Sequence, residues 1–159
     1  MKTFYTLLLA FGLCLTSHAQ SNINVVNYQN ANLQSQNEIN SLLSTNQNRL
    51  LLQNGFSAKQ LSNDNLGLKL IKVVNSNSID NAVLTNFAGD YSNVEIIVLS
   101  NIDANSQVIT NLDLNGFSSL KYIIINTNET LINTFVQNML QNVQLPPNVL
   151  VVYKHEVLM

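Results

Sequence analysis

Four short apolar runs recur at a nearly fixed distance, and that spacing limits what the chain can fold into. Runs 68–74, 94–99 and 120–125 begin 26 residues apart, and a fourth, 149–153, follows after 29. Each is rich in Val and Ile and as short as a strand. Ile96-Ile97-Val98-Leu99 and Ile123-Ile124-Ile125 leave no polar face, as expected of strands covered on both sides. Helix-like stretches separate the runs. Residues 78–89 carry Val83, Leu84 and Phe87, and 104–112 carry Val108, Ile109 and Leu112. The last stretch places Ile132, Phe135, Val136, Met139, Leu140 and Val143 at steps mostly of three and four. Thr127 or Asn128 is expected to cap it, Glu129 to sit in its first turn, and Pro146-Pro147 to end it.

The N-terminal half is less regular. Ile39, Leu42, Leu43, Leu50 and Leu51 fit one face of a helix over 35–53. Ser35 and Glu38 have the spacing of a capping box, and Asn54-Gly55 suits a helix stop. Residues 20–34 read as a polar lead-in, with Ile23, Val25, Val26 and Tyr28 as a candidate first strand. Alternation of strands and helices predicts an α/β fold with a parallel β-sheet built from βα units of about 26 residues. The expected organisation is a signal peptide over 1–19, the lead-in over 20–34 and a single α/β domain over 35–159. The repeat makes Lys69, Glu95 and Lys121 equivalent, so in neighbouring in-register strands they form a row of alternating sign.

The stretch Leu120-Lys121-Tyr122-Ile123-Ile124-Ile125-Asn126-Thr127-Asn128 resembles the leucine-rich-repeat motif L-x-x-L-x-L-x-x-N, and Gly116-Phe117-Ser118-Ser119 is similar to the turn before such a strand. The resemblance implies a short solenoid that binds other proteins on its strand face, where Ile96, Val98, Tyr122 and Ile124 would lie. Any βα unit with a similar spacer has the same period, and a layered sandwich is preferred because that face is too apolar to leave in water.

Lys2, an apolar run over 4–15 and Ser17-His18-Ala19 together read as a secretory signal of bacterial type, cleaved near Gln20. The run is shorter than a membrane span, and no later segment is long and apolar enough to be one. Cys14 and His18 would leave with the signal, so disulfides, thiol nucleophiles and Cys/His zinc sites are not expected. About 140 residues remain, enough for one core. Six basic residues stand against nine acidic ones, and the only arginine is Arg49, so no nucleic-acid partner is expected. Asparagine makes up about a sixth of the chain; interleaved with apolar runs, it suits turns and caps.

Chemistry-bearing motifs are few. Gly55, Gly67, Gly89 and Gly116 form neither a dinucleotide fingerprint nor a P-loop, and no serine sits in a G-x-S-x-G elbow. His155 and Glu156 are neighbours at the end of a strand and point to opposite faces, a poor catalytic pair. No catalytic residue, cofactor or metal ligand is assigned. Ligands of open parallel sheets bind beyond the C-terminal ends of the strands. Asn101, Asp103, Asn126, Asn128 and Glu129 fall there and form the candidate ligand rim. The function expected is an exported, non-catalytic binding or surface-interaction protein, secreted to the periplasm or beyond, with protein or glycan as its expected partner. The alternatives are a small carboxylate-dependent hydrolase or carbohydrate-binding protein, and a self-assembling envelope or matrix component.

Overall fold

The computed structural model describes residues 23–44, 47–53, 56–60, 67–74, 91–100, 112–127 and 130–155. Seven strands form one sheet: β1 (Asn24–Asn27), β2 (Arg49–Gln53), β3 (Phe56–Gln60), β4 (Leu70–Val74), β5 (Ile96–Ser100), β6 (Tyr122–Thr127) and β7 (Leu150–His155). Their order is β1-β7-β6-β5-β4-β2-β3. Six strands are parallel, and β3 runs antiparallel to β2 at one edge. Two α-helices are described, α1 (Leu33–Leu43) and α2 (Asn133–Met139), and a short 3-10 turn, Tyr28–Asn30, follows β1.

Side chains alternate between the two faces of the sheet. On one face Leu70, Ile96, Val98, Tyr122, Ile124 and Val152 pack under Ile39 and Leu42 of α1. On the other, Ile71, Val73, Ile97, Leu99, Ile123, Ile125 and Val151 pack with Val136 of α2 and with Leu114, Phe117 and Leu120 of the preceding segment. Every residue of β5 and β6 is buried, which is why those runs carry no polar face. The step from β6 to β7 crosses through α2. The long step from β1 to β2 runs the opposite way through α1 on the opposite face. Reversing both direction and face preserves the hand of the crossover.

The 26-residue period is the lateral register of the sheet. Leu70, Ile96 and Tyr122 lie side by side, as do Ile71, Ile97 and Ile123. The turns before the strands follow the same offset: Tyr91 stacks on Phe117 at 4.9 Å, and the Ser118 hydroxyl donates to the Ser92 carbonyl at 3.4 Å. Asn93 packs so closely over Gly67 that a Cβ there would lie 2.7 Å from the Asn93 Cβ. The architecture is nevertheless a layered α/β sheet rather than a solenoid. Ile96, Val98, Tyr122 and Ile124, which a solenoid would offer to a partner, are covered by α1.

Three expected boundaries move. Residues 49–53 are strand β2, not the end of a helix, because they pair with β4 and with β3. The candidate first strand is β1, where expected, but the helix starts before Ser35, within the stretch read as lead-in: α1 begins at Leu33, and its cap is Asn32, whose side chain accepts from the Ser35 N–H. Thr127 does not cap the last helix, since it is the final residue of β6; α2 begins six residues later, after Ile132, without a side-chain cap. The helical stretches expected at 78–89 and, apart from Leu112, at 104–112 lie outside the described residues.

Candidate functional site

Parallel pairing brings the C-terminal ends of six strands to one rim. Of the five candidate rim residues, Asn126 is described; Asn101, Asp103, Asn128 and Glu129 lie outside the described residues. Asn126 sits where the apolar run of β6 ends, beside Ser100 of β5 and Lys154 of β7, on the face that carries α1. It is only 5% exposed. Its Nδ2 donates to the Ser100 hydroxyl at 3.4 Å, and its Oδ1 is buried with no hydrogen-bond partner. A buried amide oxygen without a donor loses its hydration and gains nothing in return. Thr127, also buried, faces the opposite side next to the exposed His155.

The strand order adds what the sequence pattern did not contain. After β1 the chain turns to one face, into α1; after β6 it passes to the other face, into α2. β7 lies between these two exits. In open parallel sheets ligands bind outside the carboxyl ends of the strands where connections diverge in this way. Asn126, Thr127, Lys154 and His155 end the strands there. The two large apolar side chains most exposed among the described residues belong to the helix starts on either side: Leu33 opens α1 at 71% exposure, and Ile132 precedes α2 at 63%.

The opposite rim holds the charges. Lys69, Glu95 and Lys121 form the row that the repeat predicts: Lys69 pairs with one oxygen of Glu95, and Lys121 reaches the other at 2.9 Å. Glu38 of α1 joins it, accepting from Lys121 and from the Tyr122 hydroxyl, each at 2.8 Å. Glu38 is 83 residues from Lys121 in the chain, and its capping-box spacing pointed to a local role instead. Lys121 and Tyr122 together hold the Glu38 carboxyl below its usual range. Burial pushes Glu95 up, but the bonds from Lys69 and Lys121 outweigh it and leave its pKa lowered. The bonds to Glu38 and Glu95 raise Lys121, and burial followed by the bond to Glu38 raises Tyr122. Glu38 and Glu95 are thereby committed to the ionised form. Asp113, the third carboxylate among the described residues, accepts from the Asn115 N–H at 2.9 Å.

Among the described residues no group of three or more His, Cys, Asp or Glu is placed to hold a metal ion, and no helix is long and apolar enough to cross a membrane. No family model, curated protein or solved structure matches this chain.

Proposed function

We propose that this chain is an exported, non-catalytic binding protein whose ligand contacts the C-terminal rim of the sheet. The observation that carries the reading is the Asn126 carboxamide: buried, tied to Ser100 at one end and lacking a donor at the other. A residue kept polar in an apolar setting suits a role in recognition, because Leu would fill much the same space without the unmet hydrogen bond. Residues 1–19 supply the export signal, and removal leaves a bacterial-type secreted protein without cysteine.

Two measurements test the two parts. Material recovered outside the cell should begin between Ala19 and Asn22 by N-terminal sequencing; an intact Met1 rejects export. Asn126→Leu should raise the melting temperature, because it removes the unmet polar group. A fall would mean that the amide supports the fold and would withdraw it from recognition.

A further inference from the structure

We infer that Asn115 is a self-modification site: the following backbone nitrogen displaces its side-chain amide and leaves aspartate or isoaspartate in the turn before β6. Asn115 and Gly116 are the central residues of a turn closed by the Phe117 N–H donating to the Leu114 carbonyl at 2.9 Å. That bond does not use the Gly116 N–H, and both central residues are exposed. A Cβ at position 116 would meet nothing within 4 Å, so the backbone there stands clear of its surroundings. Glycine also leaves the turn the widest choice of backbone angles. Rotation about the Asn115 Cα–C bond brings the Gly116 nitrogen onto Asn115 Cγ. The nitrogen gives its proton to solvent and forms the new C–N bond. The Cγ–Nδ2 bond breaks and ammonia leaves. Water then opens the cyclic imide, at Cγ to give aspartate or at the main-chain carbonyl carbon to give isoaspartate. The net change is amide plus water to carboxylate plus ammonium, with nothing oxidised or reduced. Asn115 Nδ2 is held by Gln144 Oε1 through an exposed bond of 3.2 Å, at the long end of the range, so little opposes its departure.

The product reaches the fold through Gln144. The Gln144 N–H donates to the Leu112 carbonyl and its carbonyl accepts from the Leu114 N–H, each at 2.8 Å, which straps this segment to the chain after α2. A carboxylate at position 115 presents Gln144 Oε1 with an acceptor in place of a donor, and it stands two residues from the Asp113 carboxylate. Isoaspartate also lengthens the main chain between Leu114 and Phe117, both buried. The conversion therefore loosens the strap as the folded protein ages. The chain's other Asn-Gly pair, Asn54-Gly55, lies outside the described residues.

The test is incubation of the folded protein in mildly alkaline water enriched in heavy oxygen, followed by digestion and peptide mass mapping. Residue 115 should take up heavy oxygen and appear in aspartate and isoaspartate forms. It should do so ahead of Asn32, Asn133 and Asn142, each followed by a residue with a Cβ. Gly116→Ala should hold residue 115 back to their level, because the methyl crowds the attacking nitrogen. The open space at position 116 lets that variant keep the fold. Incubated wild type should melt below fresh protein, and the fall should be larger than the one incubation causes in Gly116→Ala. That variant keeps Asn54-Gly55, so the difference belongs to residue 115. An amide still intact at 115 after the other asparagines convert, or conversion as fast in Gly116→Ala, would overturn the assignment. Conversion at 115 without the extra fall in melting temperature would overturn the loosening of the strap.

Discussion

At the N-terminal rim of the sheet each carboxylate accepts from two donors, Glu95 from two lysines and Glu38 from a lysine and a tyrosine. At the C-terminal rim Asn126 is more deeply buried, yet keeps an oxygen with no donor. The same strands, β5 and β6, end in both environments, so the difference does not come from the sheet itself. It separates a rim whose charged groups satisfy one another from a rim that leaves a buried amide oxygen without a donor. Substitutions at the first rim should therefore destabilise. The corresponding change at the second should stabilise.

The largest effect is expected from Glu95→Lys. Its side chain is 17% exposed and lies between two cations. Three like charges in a row should cost about 3 kcal/mol by urea unfolding, towards the lower end for breaking a buried ion pair because Lys121 is half-exposed and screened. Glu95→Ala should cost less, and the gap between the two should narrow in high salt. Equal losses would mean that the row is geometric rather than electrostatic. Gly67→Ala comes next, at roughly 2 kcal/mol, because the added methyl overlaps the Asn93 Cβ and Cγ, not just the flexible end of that side chain. Asn93→Ala does not relieve the Cβ contact, so the double variant should recover only part of the loss. Full recovery would place the strain in the amide alone.

Asn126→Leu reverses the sign. Removing an unsatisfied buried polar group should stabilise by about 1 kcal/mol, less what the long 3.4 Å bond to the buried Ser100 hydroxyl and the bulkier side chain's packing cost. Thermal unfolding of this variant beside Glu95→Ala compares the rims directly. If both variants melt lower, the contrast fails.

How much of this was legible follows from which interactions are local. The rungs of β4, β5 and β6 were readable because one period aligns their apolar runs, and Lys69, Glu95 and Lys121 came with them. β2 was not. Arg49-Leu50-Leu51-Leu52 has the leucines of a helix, and its partner β4 lies 21 residues on, so tertiary pairing overrode propensity. Asn54-Gly55, read as a helix stop, is also a hairpin signal, and β2 and β3 pair across it. The leucine-rich-repeat likeness rested on Leu120, Ile123 and Ile125, all buried here as in any βα unit. What separates the folds is the cover on the opposite face, which α1 supplies from a distant part of the chain. Asn126 could be placed at the rim from its position in β6. Its missing donor and the divergence of β1 and β6 depend on strand order, to which no local pattern points.

The smallest effect tests the link between α1 and the charged rim. Glu38→Gln keeps an acceptor for Tyr122 but removes the charge facing Lys121, in a pair that is one-third to one-half exposed. The expected loss is about 0.5 kcal/mol at neutral pH, fading with salt. Its pH dependence is more telling than its size. The folded pKa of Glu38 is lowered, so its stabilisation is fully present above the unfolded value, about 4.3, and is lost as pH falls through the folded value. Wild type and Glu38→Gln should therefore differ at pH 6 and converge in acid. The raised pKa of Lys121 works in the other direction: its contribution is complete below about 10.4 and is lost as pH rises through the folded value. Convergence in acid with an unchanged gap at neutral pH in high salt would assign the effect to the hydrogen bonds of Glu38. A gap constant across pH would remove the ionised carboxylate from the account of how α1 is held.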